Sequence, residues 1–324
     1  MRFGTVALVG RSNVGKSTFL NAALGERLAI VSPLPQTTRD ALLGVVHRQD
    51  AQIAFVDTPG IHAPKSELGK RMNAAAIEAA RTADIVLMMV NAQPPRGRAS
   101  DDPKATHAQD HALLELLKEI GAPPRVLVLN KVDRIKNKSV LLPLIGAFTQ
   151  AHSFESVIPT SVLGRDGVDR VLSEVTQLLP EGSVEFDEDT LTDRPVRYFV
   201  REYVREQVML RATREVPHAV AVSIDSVDEG PDALRAQATI HVQKAGQRGI
   251  LVGRGGSAIR EIGIGARERL QELLQKNVHL ELFVRVTPHW KDVPRQLAEL
   301  GYGYGSNETN ALVTRLGDQG QDDE

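Results

Sequence analysis

The sequence contains no cysteine, so neither a disulfide framework nor a thiolate metal site is open to it. It has no run of 18 apolar residues, about the length a helix needs to cross a bilayer. The apolar stretch Thr5–Gly10 is too short for a signal-peptide core, and a functional motif follows it at once, so a cytoplasmic location is expected. Strong net charge is lacking as well. Lys and Arg number 39 against 41 Asp and Glu, leaving −2, which excludes a polycation built for nucleic acid over its whole length. What is present is ordinary for a globular protein, 42% hydrophobic and 25% charged, and 324 residues suffice for two domains with substantial cores.

The average conceals one local excess. Between His241 and Arg295 there are ten basic residues, Lys244, Arg248, Arg254 and Arg260 among them, and five acids, a difference of 10 − 5 = +5. A solvated helical face accounts for such a stretch as well as a polyanion partner does.

The first half alternates apolar strands with helical patterns, which implies a doubly wound, mostly parallel sheet. Strands are expected at Thr5–Val9, Ala51–Val56, Ile85–Val90, Arg125–Leu129 and Ser156–Thr160, several of them near-continuous apolar runs of the kind covered on both faces. Helices are expected at Gly69–Thr82, His107–Ile120 and Gly167–Leu178, and a long surface loop at Gln93–Thr106. Pro180–Pro195 is acidic and turn-rich and reads as a domain boundary. The expected division is residues 1–180, a linker over 181–195, a small α+β domain over 196–303, and a disordered tail over 304–324. In the second domain the pattern suggests a helix at Val196–Thr213, strands at His218–Ser223 and Ala236–Lys244, a glycine turn, a helix at Ala266–Gln275 and a strand at Leu280–Val286.

Gly10-Arg11-Ser12-Asn13-Val14-Gly15-Lys16-Ser17, followed by Thr18, fits a P-loop placed after a strand and before a helix. Such a loop curls backbone N–H groups around phosphates, with Lys16 reaching the β- and γ-phosphates and the Ser17 hydroxyl on Mg²⁺. Asp57-Thr58-Pro59-Gly60 closes the next apolar strand, where Asp57 can hold hydrated Mg²⁺ and the Gly60 N–H can meet the γ-phosphate. Asn130-Lys131-Val132-Asp133 ends another strand. Asp133 can accept two hydrogen bonds from guanine that adenine cannot offer, and Lys131 can lie along the base. Ser161, with Val162 after it, is placed to support guanine O6 through backbone. In the polar segment Ser32–Asp40 a threonine can complete the Mg²⁺ shell when the γ-phosphate is present, Thr38 first and Thr37 second. The catalytic pair is then Lys16 and Thr38. Ile61 stands where many small GTPases carry a water-orienting glutamine, so slow intrinsic turnover is expected.

Taken together these motifs resemble those of the bacterial Era-type GTPases, in Gly10–Thr18, Gln36–Asp40, Asp57–Gly60, the run Ile61–Asn73, and Asn130–Asp133. The similarity continues through Arg201–Pro217, the turn Gly253-Arg254-Gly255-Gly256, and Trp290 to Tyr302, so it covers essentially the whole chain. It implies a P-loop GTPase domain binding GTP or GDP with Mg²⁺, joined to a type II KH domain. It implies further that Gly253–Gly256 meets RNA, at the 3′ region of small-subunit ribosomal RNA, during maturation of the small ribosomal subunit. Peripheral association with the inner membrane and a monomeric state belong to the same expectation. Asn13 resembles a P-loop asparagine that binds K⁺ in some related GTPases, although a capping role suits it equally. Asn91 stands where relatives carry aspartate, Val162 where they carry alanine and Arg254 where they carry lysine. A non-catalytic RNA module remains the competing reading. A GTPase acting on transfer-RNA modification would carry its C-terminal chemistry on cysteine, which is absent.

Overall fold

The computed structural model describes residues 1–93, 108–119, 121, 123–213 and 215–302. The loop expected at Gln93–Thr106 lies outside the described residues from position 94 on, as does the tail expected from 304.

The first half comprises β1 (Arg2–Val9), α1 (Lys16–Leu24), β2 (Leu42–His47), β3 (Ala51–Asp57), α2 (Glu67–Thr82), β4 (Ile85–Asn91), α3 (Ala108–Glu119), β5 (Arg125–Asn130), α4 (Leu141–Ala151), β6 (Ser156–Pro159) and α5 (Val168–Leu178). Six strands line up in the order β2-β3-β1-β4-β5-β6. All neighbours are parallel except β2 with β3. The central strands are apolar on both faces because helices cover both, as in β4, where Ile85 to Val90 are all buried. Every parallel strand therefore ends its carboxyl edge on the same side, which is where the doubly wound fold collects its ligands.

Strand β2 was not among the expected strands. It is an edge strand, and the acidic stretch expected as a linker is laid along it: Val45 N–H donates to Leu191 O at 2.9 Å, and His47 Nε2 lies 2.8 Å from Thr190 O. An open edge is thereby covered. Helix α2 starts earlier than expected because Ser66 caps it, its hydroxyl accepting from Gly69 N–H at 3.1 Å.

The second half runs α6 (Val196–Arg211), β7 (Ala221–Glu229), β8 (Ala233–Val242), α7 (Ala245–Val252), α8 (Ser257–Leu274), β9 (Asn277–Val286) and α9 (Pro294–Glu299). Its sheet is ordered β7-β8-β9, antiparallel then parallel. Tyr203, Val204 and Val208 of α6 are buried with Ile262, Ala266 and Leu270 of α8 over one face of this sheet. Helix α7 was not among the expected elements; its end, Ile250-Leu251-Val252, is a run too short for periodicity to separate helix from strand. Helix α8 begins at Ser257, directly after the glycine turn, rather than at Ala266.

The halves are packed together. Leu68 and Met72 of α2 share a buried cluster with Ala221, Trp290, Leu297, Leu300 and Tyr302. Among the described residues no helix is long and apolar enough to cross a membrane.

Candidate nucleotide site and glycine turn

The P-loop joins β1 to α1 at the carboxyl edge of the sheet, and its two outer glycines occupy positions that no side chain could share. Gly10 has φ 151°, and a Cβ there would lie 2.3 Å from Met89 O. Gly15 has φ 114°, and its Cβ would lie 2.3 Å from Asn130 Nδ2. Helix α1 thus points its first N–H groups into the loop. Lys16 folds back over the loop and donates to Gly10 O at 2.9 Å and Arg11 O at 3.0 Å. Burial lowers its pKa to about 8, opposed by Asp57.

Asp57 ends β3 next to that lysine. Its Oδ2 accepts from the Ser17 hydroxyl at 2.6 Å, and the Thr38 hydroxyl is 2.8 Å from Ser17 Oγ and 3.4 Å from Asp57 Oδ2. Three oxygen donors from three separated segments meet here, the donor chemistry of a small hard cation. Asp57 Oδ1 is buried with no hydrogen-bond partner among the described residues, so the set fits Mg²⁺. Burial pushes the Asp57 carboxyl up to about 6, against the pull of Lys16 and the hydroxyls of Ser17 and Thr38. Thr37 lies elsewhere: its hydroxyl is 2.7 Å from Ser32 Oγ and donates to Leu34 O at 2.8 Å. Between the two candidates, the geometry brings Thr38 to the cluster.

Thr58 is fully buried, its hydroxyl donating to Leu8 O at 2.6 Å, and acts as a strand-end fastener. Gly60 crosses so near the P-loop that a Cβ would lie 2.5 Å from Ser12 Oγ and 2.6 Å from Ser12 Cα. Ile61 N–H donates to Gly10 O at 3.2 Å, and the Ile61 side chain is buried beside Val9 in the core. No water-orienting side chain is offered at that position.

At the far end of the cavity, about 490 Å³ in volume, lie Asn130, Lys131 and Asp133. Asn130 Nδ2 donates to Val14 O at 2.8 Å, while its Oδ1 accepts from Lys131 N–H at 2.7 Å and Val162 N–H at 3.1 Å. Lys131 takes φ 67° and donates to Asn13 O. Asp133 is exposed at the rim, and its Oδ1 accepts from the Ser161 hydroxyl at 2.7 Å. The Ser161 N–H donates to Asp166 O at 3.0 Å. Val162, buried, ties its own N–H to Asn130. Asn13 has φ 61°, and its Nδ2 donates to Pro33 O at 2.9 Å, joining the P-loop to the segment that carries Thr38.

Arg11 was named only as a P-loop position. Its Nε donates to Gln109 Oε1 at 3.0 Å and its guanidinium lies 3.8 Å from Asp110, whose carboxyl burial pushes up to about 7 against the pull of Arg11. No local signal links residues so far apart in the chain.

In the second half Gly253 (φ 72°), Gly255 (φ 60°) and Gly256 (φ 77°) form a turn between two helices. A Cβ on Gly253 would meet Ala258 N at 2.8 Å, whereas Gly255 faces open space. Arg254 and Gly255 are exposed at the tip. Of the ten basic residues counted above, Arg269, Lys276 and Arg295 are consumed by ion pairs. Lys244, Arg248, Arg254 and Arg260 are exposed around this turn, with no ion pair among the described residues. Ile250, beside them on α7, is 52% exposed and is not core, while Leu251 is buried.

The fold and this cavity define a P-loop GTPase carrying a second α–β–β–α–α–β domain. Residues 5–131 match the family described as 50S ribosome-binding GTPase, and residues 215–291 match the KH domain family. GTPase Era of Ruminiclostridium cellulolyticum is 40% identical over 305 residues, covering 94% of this chain and 98% of that protein. GTPase Era of Geobacter metallireducens is 41% identical over 303 residues, covering 93% and 98%. A variant of Aquifex aeolicus Era bound to GDP·AlF4⁻ superposes with a TM-score of 0.87 at 35% identity, over 94% of this chain and all (100%) of that one. An Era structure in complex with MgGDPNP and nucleotides 1506–1542 of 16S ribosomal RNA gives 0.86 at 35% identity, with 94% and 100% covered. The chain belongs to the GTPase Era family and is a GTP-hydrolysing enzyme.

The contact at Gly60 yields a direct test. In Gly60→Ala the added carbon meets Ser12 backbone, and the P-loop must shift by several tenths of an ångström. Turnover measured by phosphate release should fall about 10²-fold, with the thermal melt little changed.

Proposed function

We propose that this protein is a GTP-driven switch that binds the 3′ region of small-subunit ribosomal RNA through its KH domain and assists maturation of the small ribosomal subunit. The observation that carries the RNA half is the exposed glycine turn within a stretch bearing four exposed cations, Lys244, Arg248, Arg254 and Arg260, that have no ion pair among the described residues, on a chain whose net charge is −2. A turn with two consecutive left-handed glycines lets a phosphate backbone come close, and the N-terminus of α8 adds its dipole. Exposed Ile250 supplies an apolar neighbour for a base. The Era structure carrying a 16S ribosomal RNA segment supports this choice of partner.

In the nucleotide site the proposed roles follow the contacts. Gly10–Thr18 cradles the phosphates, Lys16 neutralises the transferred group, and Asp133, Lys131 and Asn130 hold the base with Ser161 and Val162 behind them. Ser17, Thr38 and Asp57 would hold Mg²⁺, which would supply positive charge against the phosphates. Hydrolysis of GTP to GDP and phosphate removes the γ-phosphate that would draw in Thr38 and Gly60, releasing both segments. With Ile61 in the core, catalysis rests on positioning and electrostatics. We further propose a division of the chain at residues 181–195, a monomeric state, a cytoplasmic location, and peripheral attachment to the inner membrane as a secondary property. K⁺ at Asn13 is part of the same proposal: its amide nitrogen is engaged with Pro33 O, and its oxygen is the atom suited to the ion.

Three measurements test this reading. Asp133→Asn replaces an acceptor with a donor and should shift preference from GTP toward XTP by about 10²-fold or more; unchanged base preference removes Asp133 from the base site. Turnover should be faster in K⁺ than in Na⁺ at matched ionic strength, and equal rates dispose of K⁺. Placing Asp at both Arg254 and Gly255 meets no neighbour, because Gly255 faces open space, and Asp bears the strain of its left-handed φ better than most residues. That double variant should lose at least about tenfold in affinity for a single-stranded 3′-terminal ribosomal RNA fragment and flatten its salt dependence, with basal GTP hydrolysis near parental. Undiminished RNA binding by the folded variant removes Gly253–Gly256 from the RNA site.

A further inference from the structure

The segment that brings Thr38 to Asp57 is held from outside its own domain. Helix α6 lies against it, and Arg205 on that helix is fully buried. Its Nη2 donates to Thr37 O at 2.5 Å, the carbonyl of the peptide whose nitrogen belongs to Thr38. The other side of the guanidinium is committed to Glu202, through Nε to Oε1 at 3.1 Å and Nη2 to Oε2. Burial alone would raise the Glu202 pKa, but Arg205 and Arg201 hold it below the usual carboxylate range, so the carboxylate stays charged and keeps the guanidinium aimed. Two further ties flank the peptide. Arg39 donates to Val220 O at 2.6 Å, just before β7, and Asp40 pairs with Arg201 of α6. Thr38 is thus bracketed before and after by groups of the second domain, while its own hydroxyl points to Ser17 and Asp57.

A planar peptide whose carbonyl is fixed by a buried charged donor has little freedom about its long axis, and the following Cα is fixed with it. We propose that Arg205, oriented by Glu202, is a positioning residue for GTP hydrolysis: by fixing the Thr37–Thr38 peptide it presents the Thr38 hydroxyl to the cation site, so the nucleotide site is completed by a helix of the KH-bearing half. This rests on Thr38 as the threonine that closes the Mg²⁺ shell. Arg205 touches neither nucleotide nor metal. Its effect belongs to the GTP-bound state, because Lys16, Asn130 and Asp133, which hold the phosphates and base of either nucleotide, make no contact with it.

The full-length chain provides the test. Replacing the buried pair together, Arg205→Met with Glu202→Met, strands no charge and keeps volume, a change that buried ion pairs commonly tolerate. Arg205→Lys, which keeps the charge beside Glu202 but has a single donor head, is the second variant should the pair fail to fold. In either, kcat should fall about 10- to 100-fold, the range for partners that orient a metal ligand, with KM and GDP affinity within about twofold. The Mg²⁺ concentration needed to bind a fluorescent non-hydrolysable GTP analogue should rise by a similar factor, while that for GDP stays put. Hydrogen exchange at residues 36–40 in the analogue complex should quicken. Tyr203→Phe, on the same helix but bonded to Arg27 O and Leu28 O, is the control and should change none of these. Parental kcat, Mg²⁺ dependence and exchange in a folded variant overturn the proposal. Equal loss for GDP and the analogue also overturns it, since that marks general support of the fold. Thr38→Ala separates the underlying reading: if it leaves the Mg²⁺ requirement unchanged, the assignment of Thr38 fails on its own account.

Discussion

Much of the nucleotide cavity depends on one side chain, that of Asn130. Its carboxamide joins the P-loop at Val14, its own loop at Lys131 and the loop after β6 at Val162. It is buried, so each of these bonds is made in a medium where an unmade one would cost about 1–3 kcal/mol. The phosphate end and the base end of the cavity are consequently one rigid piece. The parallel sheet is what brings these loops within reach, by ending β1, β5 and β6 on the same edge.

Two pairs of buried opposite charges behave differently, and the difference is instructive. Lys16 and Asp57 both shift toward their neutral forms because burial outweighs their mutual attraction. A triphosphate and a cation are the natural counterparts for such a pair, so this end of the cavity is poised for highly charged ligands. Glu202 and Arg205 shift the other way, each toward its charged form, because they meet in direct hydrogen bonds. That pair is already complete. Beyond Glu202, the Arg205 Nη1 donates to Met209 Sδ at 3.5 Å and its Nη2 to Thr37 O, which makes the pair a fixed strut.

The two halves share more than a linker. The acidic stretch lies against β2, and Trp290, stacked on Tyr302 with its N–H donating to Ala219 O, packs in the cluster that includes α2. Arg39 lies over the Trp290 ring at 5.6 Å, so the residue after Thr38 is sandwiched into this contact. The segment proposed to respond to nucleotide state is therefore part of a buried interface, and displacement of one would disturb the other.

The sequence by itself determined the parts whose chemistry is local. A P-loop needs glycine where the backbone turns left-handed, Asp57 and Asn130 follow directly on apolar strands, and Gly253–Gly256 is dense in the one residue that permits such a turn. The alternation of strands and helices was legible for the same reason, through periodicity over short windows. Edge strand β2 and the α7 end at Ile250–Val252 were not legible, because a six-residue edge and a three-residue apolar run carry too little periodicity to decide between states. Only the tertiary structure brought the Thr38 hydroxyl to Ser17 and Asp57, set the Ser161 hydroxyl against Asp133, and tied Arg205 to Thr37 across 168 positions. Those outcomes depend on which groups are brought within about 3 Å of each other by packing. Contacts between distant segments leave no mark on the residues next to them in the chain.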